Sequence, residues 1–245
     1  MKIIKKLFDR IFKVKRPGVS AVILAAGLSE RFGGSKVTAE VGGKSVLDRT
    51  LSAFDACPAI DEIILVLPED GYDNIYSEIK DSLPEKVKNV VRGGDTRQKS
   101  ALCGLEACAP KSQYIAIHDA ARCLITPEMI EAVCRAAIDH RAAAAAYRVV
   151  DTVKYSDAKG FIDHTIDRDN VWLVSTPQVF MTNMYRAAAY TARDAGFEAT
   201  DDCMLAERLG FKIKLVDVGS DNIKITYKED ISRAEEILRR RNELV

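Results

Sequence analysis

The first 18 residues carry a hydrophobic pattern of their own. Their apolar positions recur at spacings of three and four, which predicts one face of a helix; they are Ile3, Ile4, Leu7, Phe8, Ile11 and Phe12. Seven basic residues and one acidic residue share this segment, and Pro17-Gly18 ends it. The segment is either a helix that packs on the domain or frays, or a basic amphipathic helix on a membrane or partner. We favour the first interpretation, because the segment is short and has no second anchor.

From residue 19 onward, continuous apolar runs alternate with segments of helical periodicity. The run 19–25 predicts a strand buried on both faces, and further strands are predicted at 63–67, 87–91 and 114–117. The periodic segments predict helices at 45–57, 73–82, 99–107, 127–140 and 228–241. The stretch 142–147 is ambiguous, because alanine favours a helix whereas its place in the alternation favours a strand. This order predicts an α/β fold, a three-layer sandwich on a mostly parallel sheet.

Residues 149–179 interrupt the alternation with short β-like pieces. Turn-forming residues at 157–160 separate two of these pieces, which predicts a hairpin arm projecting from the sheet. Two strands alone are marginally stable, so we expect the arm to lie on a second subunit of a homodimer. We therefore divide the chain into an N-terminal extension, 1–18, and one domain, 19–245, that carries the arm.

Composition narrows the class of protein. The chain has 245 residues, of which 47% are hydrophobic and 29% charged, a usage that excludes disordered and fibrous proteins. Lys and Arg together number 36, as do Asp and Glu, so the global charge predicts no nucleic-acid partner. No apolar run is long enough to span a membrane, and no signal peptide is recognisable. The six cysteines form no metal-binding or redox pair, so we expect reduced thiols in a cytoplasmic protein.

A glycine-rich loop follows the first predicted strand. It begins with Ala25, Ala26 and Gly27 and continues to Arg31 and Lys36. Ligands bind beyond the carboxyl ends of parallel strands, where small residues let backbone N–H groups approach phosphate oxygens. Two cations in the same loop suit a polyphosphate, although a surface turn with two solvated cations is the simpler alternative.

The loop does not belong to the two best-known phosphate-binding motifs. The run Gly42-Gly43-Lys44-Ser45 ends like a Walker A motif, but Thr38 stands where that motif requires glycine. The sequence also lacks the G-x-G-x-x-G pattern of dinucleotide-binding proteins. Gly42-Gly43 is better interpreted as a turn between a short strand and a helix.

Three further elements carry candidate chemistry. The strand that begins at Tyr114 ends in Asp119, followed by Arg122, so a carboxylate there is placed to hold a divalent metal against phosphates. A local ion pair between these two residues is the alternative, and we interpret His118 as structural. Residues 93–100 offer backbone donors, Asp95 and a hydroxyl at a helix start, although a turn with capping residues would look the same. Residues 221–226 form a strand-like run around Lys224.

Together with the arm, these elements resemble the cytidylyltransferases that act on 2-C-methyl-D-erythritol 4-phosphate in the non-mevalonate isoprenoid pathway. The resemblance covers residues 19 to about 239 and rests on seven short motifs in order. They are A-A-G-x-x-x-R, G-G-x-x-R-x-x-S, H-D-A-A-R, D-T with T-x-D-R in the arm, T-P-Q, T-D-D and D-N-I-K-x-T. The resemblance implies a nucleotidyltransferase variant of the Rossmann-like fold and a homodimer. It also implies the substrates CTP and a sugar-alcohol phosphate, with Mg2+ as cofactor.

The resemblance further implies a role for each matching residue. The catalytic residues would be Arg31, Lys36, Asp119 and Lys224, with Asp119 also near the metal. The nucleotide would lie against Ala25, Ala26, Gly27, Gly94, Asp95 and Ser100. The substrate would be held by Asp119 and Arg122, and by Thr152 and Arg168 of the neighbouring subunit. Where the family usually continues its loop with P-K-Q and an aromatic or apolar residue, this chain has Ser35-Lys36-Val37-Thr38.

The motifs are also compatible with three alternative functions. The similar ribitol-5-phosphate cytidylyltransferases share the nucleotide half, so only the substrate half distinguishes them; the arm and the D-N-I-K segment favour methylerythritol phosphate. A non-catalytic CTP-binding regulatory domain is less favoured, because Arg31, Lys36, Asp119 and Lys224 are all retained. A membrane-associated module built on residues 1–18 is the third alternative.

Overall fold

The computed structural model describes residues 16–27, 32 and 38–244. In chain order the strands are β1 (Val19–Leu24), β2 (Glu40–Val41), β3 (Lys44–Ser45), β4 (Glu62–Leu67), β5 (Val87–Arg92), β6 (Tyr114–Asp119), β7 (Ala142–Arg148), β8 (Lys154–Ser156), β9 (Ile162–Thr165), β10 (Trp172–Met181) and β11 (Lys214–Asp217). The helices are α1 (Val46–Ala56), α2 (Tyr72–Ile79), α3 (Arg97–Glu106), α4 (Pro127–His140), α5 (Thr182–Asp194), α6 (Asp202–Arg208) and α7 (Glu229–Arg240). Short 3-10 helices lie at Lys80–Ser82 and Arg168–Asn170.

Within the described ranges, seven strands form a central sheet in the order β11-β7-β10-β6-β1-β4-β5. β10 runs antiparallel to its neighbours β6 and β7, and the other pairs are parallel. β1 pairs with β4 on one side and β6 on the other, so the loops after these strands meet at one edge of the sheet. The predicted mostly parallel sheet is confirmed.

Helices cover both faces of this sheet. One apolar cluster joins the sheet to α1 and α4 and includes Phe54 and Val133. A second cluster lies on the opposite face and joins the sheet to α3, α5 and α6 through Leu105 and Tyr185. Burial of two faces explains why the central strands β1, β4 and β6 are mostly apolar rather than alternating, whereas the edge strand β5 is only partly buried. The predicted three-layer sandwich is confirmed.

The alanine run 142–146 forms most of strand β7, and all five side chains are buried. β7 lies between β10 and β11, where sheet pairing overrides the helix propensity of alanine. The strand-like run predicted at 221–226 was wrong, because the structure assigns no strand there. The predicted helix 73–82 ends at Ile79 and continues as a 3-10 helix to Ser82.

Helix starts follow the capping residues in the sequence. Ser45, Thr96 and Thr126 each accept a hydrogen bond from the backbone N–H three residues on, at the starts of α1, α3 and α4. Gly42 and Gly43 have φ values of 56° and 74° and turn β2 into β3, as the Gly-Gly pair predicts.

The arm is an exposed hairpin formed by β8 and β9. Asp157 Oδ1 accepts hydrogen bonds from the N–H groups of Lys159 and Phe161, which closes the turn. Phe161 and Ile162 remain 70% and 65% exposed. The predicted projecting hairpin is confirmed, and its apolar residues lack cover within the described part of the chain.

The helix predicted for the N-terminal extension falls almost wholly outside the described residues. Arg16, the first described residue, donates to the Asp61 carboxylate at 2.8 Å and to the carbonyl oxygens of Pro58 and Ala59. Among the helices described from residue 16 onward, none has the length and apolar character needed to cross a bilayer.

Candidate active site

The candidate site lies where the chain leaves the carboxyl ends of β1, β5 and β6. Ala25 N–H donates to the carbonyl of Val66 and Gly93 N–H to that of Leu67, each at 2.8 Å. Ala120 N–H donates to the carbonyl of Leu24 at 3.0 Å. These backbone bonds fix the loops that follow β1, β5 and β6 beside one another. They bring together segments that are separated widely along the sequence.

Gly93 is the point of closest approach between two of these loops. A Cβ atom at this position would lie 2.7 Å from both Ala26 Cβ and Ser100 Oγ, so no larger residue fits without a shift. The loop after β1 therefore packs directly on the loop after β5. The predicted nucleotide-binding residues Ala25, Ala26, Gly94 and Ser100 lie in this packed region.

Ser100 braces the loop after β5. Its hydroxyl oxygen accepts from Gly94 N–H at 3.2 Å and donates to the carbonyl of Thr96 at 2.9 Å. Asp95 is exposed instead, and its carboxylate pairs with Lys99 at 2.8 Å. The hydrogen bond from Lys99 lowers the pKa of the Asp95 carboxyl. Of the predicted pocket residues, Ser100 is thus buried and stabilises the loop, whereas Asp95 presents an exposed carboxylate.

Asp119 is held between two cations. Its Oδ1 accepts from Arg97 Nε at 2.9 Å, and its Oδ2 accepts from Lys224 Nζ at 2.7 Å. Burial alone would raise the pKa of the Asp119 carboxyl, but Arg97 and Lys224 together hold that pKa well below its usual value. The carboxylate is therefore ionised, and it fixes the position of the Lys224 ammonium.

Arg97 is a site residue that sequence reasoning did not select. It is the first residue of α3, and besides Asp119 it donates to Asp202 Oδ2 from Nη1 at 2.7 Å. Burial would lower the pKa of Arg97, but the two carboxylates raise it above its ordinary value. The arginine of the G-G-x-x-R-x-x-S motif was the signal available in the sequence. It gave no indication that the partners of this arginine would be Asp119 and Asp202.

Arg122 contacts the segment that carries Lys224. Its Nη1 donates to the carbonyl of Asn222 at 2.8 Å, and its buried Nε has no hydrogen-bond partner among the described residues. Burial lowers the pKa of the Arg122 guanidinium. The local Asp119–Arg122 ion pair considered as an alternative does not form in the described chain, because Asp119 pairs with Arg97 and Lys224 instead.

His118 is a buried structural residue, as the sequence predicts. The Thr176 hydroxyl accepts from Asp119 N–H at 3.0 Å and lies 3.1 Å from His118 Nδ1. His118 Nε2 lies 3.3 Å from the carbonyl of Arg122, an arrangement that suits a neutral ring with its proton on Nε2. Burial lowers the pKa of His118 from 6.5 to about 3. The ring therefore orients the backbone around Asp119 and carries no charge at neutral pH.

His118 predicts a dependence of stability on pH. The unfolded chain takes up a proton near pH 6.5 and the folded chain only near pH 3, so the free energy of unfolding falls as pH drops between these values. Well below pH 6.5 the slope for this group approaches about 1.4 kcal/mol per pH unit, which amounts to roughly 2 kcal/mol between pH 7 and pH 5. Urea unfolding at pH 7 and pH 5 measures it. His118→Gln should flatten the slope, and an unchanged slope in that variant would contradict the assignment.

Four predicted site residues lie apart from this cluster or outside the described chain. Arg31 and Lys36 fall outside the described residues. Thr152 and Arg168 lie on exposed parts of the arm, where Arg168 Nη1 donates to the carbonyl of Val150 at 2.5 Å. No hydrogen bond or ion pair joins either arm residue to Asp119 within the part of the chain that is described.

Among the described residues, the surroundings of Asp119 do not suit a resident metal ion. Both oxygens of Asp119 already accept from cations, at 2.9 and 2.7 Å. Across the described ranges, no group of three His, Cys, Asp or Glu side chains is placed to hold a metal. The prediction that Asp119 ligates a metal thus has no support from neighbouring ligands.

The thiols are also unsuited to catalysis. All six cysteines are free, and all except Cys103 are buried. Burial raises the pKa of Cys108 and Cys134 to about 12, so neither forms a thiolate at neutral pH. The cysteine thiols therefore offer no nucleophile at neutral pH.

A mostly parallel sheet with loops packed at its carboxyl edge and cations around one buried carboxylate is the arrangement expected of a nucleotidyltransferase-type protein. The sequence model of the family IspD, 2-C-methyl-D-erythritol 4-phosphate cytidylyltransferase, matches residues 19–240. The chain belongs to this family.

Individual relatives cover nearly the same range. The 2-C-methyl-D-erythritol 4-phosphate cytidylyltransferase of Caldanaerobacter subterraneus subsp. tengcongensis is 42% identical over 228 residues, which are 91% of this chain and 99% of the relative. The enzyme of the same name from Clostridium perfringens is 35% identical, over 90% of this chain and 99% of its own length.

Solved structures agree with the fold. The crystal structure of 4-diphosphocytidyl-2C-methyl-D-erythritol synthase from Anaerococcus prevotii matches with a TM-score of 0.81 and 34% identity, covering 91% of this chain and 96% of its own. The 2-C-methyl-D-erythritol 4-phosphate cytidylyltransferase from Thermus thermophilus matches with a TM-score of 0.72 and 31% identity, covering 89% and 98%. The predicted fold class, a nucleotidyltransferase variant of the α/β sandwich, is confirmed.

Proposed function

We propose that this protein transfers CMP from CTP to 2-C-methyl-D-erythritol 4-phosphate. The products are 4-diphosphocytidyl-2-C-methyl-D-erythritol and pyrophosphate, and the reaction serves isoprenoid precursor synthesis. Membership of the family and the names of its relatives support this proposal. The observation in the structure that carries it is the Arg97–Asp119–Lys224 cluster beside the loop that Ser100 braces.

The chemistry needs no protein nucleophile. An oxygen of the methylerythritol phosphate attacks the α-phosphorus of CTP, and a new P–O bond forms. The bond from the α-phosphorus to the bridging oxygen breaks, and its electron pair leaves with pyrophosphate. A phosphate monoester is largely ionised at neutral pH, since its second pKa is about 6, so no general base is required. A site with inert thiols and a neutral His118 suits this reaction.

Catalysis then depends on positioning two anions and neutralising charge in the transition state. We assign the contact with the attacking phosphate to the Lys224 ammonium, which lies 2.7 Å from Asp119 and belongs to a side chain that is 37% exposed. By the resemblance, Arg31 and Lys36 stabilise the triphosphate and the α-phosphoryl charge. Lys and Arg perform this function in phosphoryl-transfer enzymes generally.

Magnesium enters this proposal as part of the nucleotide substrate. Mg2+ keeps several waters and is commonly bound through substrate phosphates rather than by an all-protein site. This suits a cluster in which Asp119 is already paired with two cations. We expect the true substrate to be the magnesium complex of CTP, so that activity follows the concentration of that complex rather than of free CTP.

The arm supports a homodimer in this proposal. Its hairpin leaves Tyr155, Phe161 and Ile162 exposed by 58%, 70% and 65%. Exposed apolar side chains grouped on a two-stranded arm are typical of a subunit contact. In such a dimer Thr152 and Arg168 would bind the substrate phosphate in the neighbouring site.

The six free cysteines suit a reducing compartment, so we place the enzyme in the cytoplasm.

Arg168→Ala is expected to raise the KM for methylerythritol phosphate more than the KM for CTP. Loss of one charged contact to a phosphate costs about 1.5–3 kcal/mol, which corresponds to about 10- to 100-fold in KM. Steady-state kinetics with each substrate varied in turn measure the effect. Lys154→Ala removes another cation from the same arm and should leave both KM values near wild type. A larger rise in the KM for CTP would show that the arm serves the nucleotide instead.

The proposed activity is tested by pyrophosphate release with the full chain, magnesium, CTP and methylerythritol 4-phosphate. Replacing CTP by ATP, GTP or UTP in parallel reactions tests the nucleotide. Turnover with CTP and little with the others is expected. Binding of CTP without turnover would favour a non-catalytic regulatory domain, and an absence of both would contradict the proposal.

A further inference from the structure

Arg97 links two carboxylates that the sequence places far apart. Its Nε donates to Asp119 Oδ1 at 2.9 Å, and its Nη1 donates to Asp202 Oδ2 at 2.7 Å. Asp202 has 1% of its side chain exposed and Asp119 has 11%. The guanidinium therefore neutralises two buried charges at once and has a fixed orientation between them.

Asp202 is itself held in place by hydrogen bonds on the side away from Arg97. The Tyr185 hydroxyl donates to Asp202 Oδ1 at 2.6 Å, and the backbone N–H groups of Asp202 and Cys203 donate to Gln178 Oε1 at 3.0 and 3.1 Å. Gln178 belongs to β10, next to β6 in the sheet. Asp202 is thus an anchor built into the core, and it sets the position of the Arg97 side chain.

Arg97 also belongs to the element that carries the nucleotide loop. It is the first residue of α3, and Ser100, which braces the backbone of Gly94, is on the same helix turn. On the other side of Asp119, Lys224 completes the chain of charges at 2.7 Å. The first turn of α3 therefore connects the loop after β5 with the Asp119 carboxylate, which orients Lys224.

We propose that Arg97 is a positioning residue for cytidylyl transfer. Clamped by Asp202, it fixes Asp119 and, through Asp119, the Lys224 ammonium relative to the nucleotide loop. This proposal rests on the proposed function, because it concerns the same site. Without Arg97 the Asp119 carboxylate can rotate about its side chain, and the lysine moves with it. A misplacement of about 1 Å at a reacting centre can cost about 10²-fold in rate.

The alternative is that Arg97 serves only to neutralise the buried Asp202. The double variant Arg97→Gln with Asp202→Asn separates the two roles. It replaces the buried ion pair by two neutral amides, and Asn can still accept from the Tyr185 hydroxyl through Oδ1. We expect Arg97→Gln alone to lower both the melting temperature and kcat, because Asp202 loses its counter-charge. We expect the double variant to recover the melting temperature while its kcat stays about 30- to 100-fold below wild type.

The values of kcat and of the KM for CTP add a measurement that a purely structural role of Arg97 would leave unchanged. We expect the KM for CTP to stay within about threefold of wild type in the double variant, since the loss concerns orientation in the transition state. Arg97→Lys keeps the charge but lacks the two-sided fork, so it should fold and still lose about 10-fold or more in kcat. Arg135→Gln, which breaks an exposed arginine–glutamate pair on α4, is the matched control and should change neither property.

Each result decides between the two roles. Recovery of both stability and kcat in the double variant would overturn the positioning role. If the double variant does not fold, Arg97→Lys decides, and a kcat near wild type in that variant would equally overturn the proposal. If the wild-type protein itself shows no turnover, the proposed function fails and this inference falls with it. The positioning role is supported if the wild-type protein and Arg135→Gln keep a normal kcat while Arg97→Lys and the folded double variant have a reduced kcat.

Discussion

Lys224→Ala is expected to lower kcat by about 10²–10³-fold, with a much smaller change in stability. The lysine ammonium lies 2.7 Å from Asp119, and its side chain is 37% exposed. After the substitution Asp119 still pairs with Arg97 at 2.9 Å, so no buried charge is left without a partner. In the proposed mechanism the loss therefore falls on the transition state, where the Lys224 ammonium would contact the attacking phosphate. Steady-state kinetics and thermal unfolding of the same preparation measure the two effects.

A control lysine lies four residues further along the chain. Lys228 is exposed at the start of α7, and Lys228→Ala removes the same charge from nearly the same region. We expect it to retain kcat within about twofold. A Lys224→Ala variant with a kcat within threefold of wild type would show that Lys224 serves only as the partner of Asp119 and has no part in the transfer.

Mixing two impaired variants is expected to restore about one quarter of wild-type activity if the arm acts in the neighbouring site. Lys224→Ala damages the site of its own subunit, and Arg168→Ala damages the site of its neighbour. In a heterodimer one site then carries both defects and the other carries neither. Random exchange makes about half of the dimers heterodimers. Each heterodimer has one intact site of two, so about one quarter of all sites are intact. The assay uses substrate well below the KM of the Arg168→Ala variant, where both parents are slow.

Subunit exchange must be demonstrated independently, for example by mass spectrometry of differently tagged subunits. If exchange is proven and activity stays at the mean of the two parents, Arg168 acts in its own subunit and the arm has been misinterpreted. A protein that stays monomeric under assay conditions would contradict the dimer directly. Restored activity would support the exposed apolar hairpin as a subunit contact.

Much of the fold could be predicted because burial on both faces leaves a direct mark on the sequence. The run Val19–Leu24 is apolar at nearly every position and is the strand that lies between two others. The alanine strand β7 was ambiguous, since its propensity is helical and only its pairing with β10 and β11 decides its conformation. The 221–226 segment was interpreted as strand-like, but the polar groups of Asn222 bond instead to Arg122, in the loop after β6, and to Thr176 of β10.

The candidate site was less accessible to sequence reasoning. Asp119 and Lys224 were each selected, but their contact joins residues 105 positions apart, and so does the contact between Arg97 and Asp202. Local sequence signals reach only a few residues, so they indicate which residues are chemically capable and not which ones meet. Arg97 was missed for this reason, since it became visible only when the fold brought two carboxylates to one guanidinium.

The central claim is that the acceptor is methylerythritol phosphate, and a comparison of acceptors tests it most directly. Pyrophosphate release would be followed with magnesium and CTP, using 2-C-methyl-D-erythritol 4-phosphate and ribitol 5-phosphate side by side at equal concentrations. Turnover with methylerythritol phosphate, at least 100-fold faster than with ribitol phosphate, is the predicted result; each 1.4 kcal/mol of discrimination contributes about tenfold. Turnover with ribitol phosphate alone would contradict the claim while leaving the fold and the nucleotide site intact.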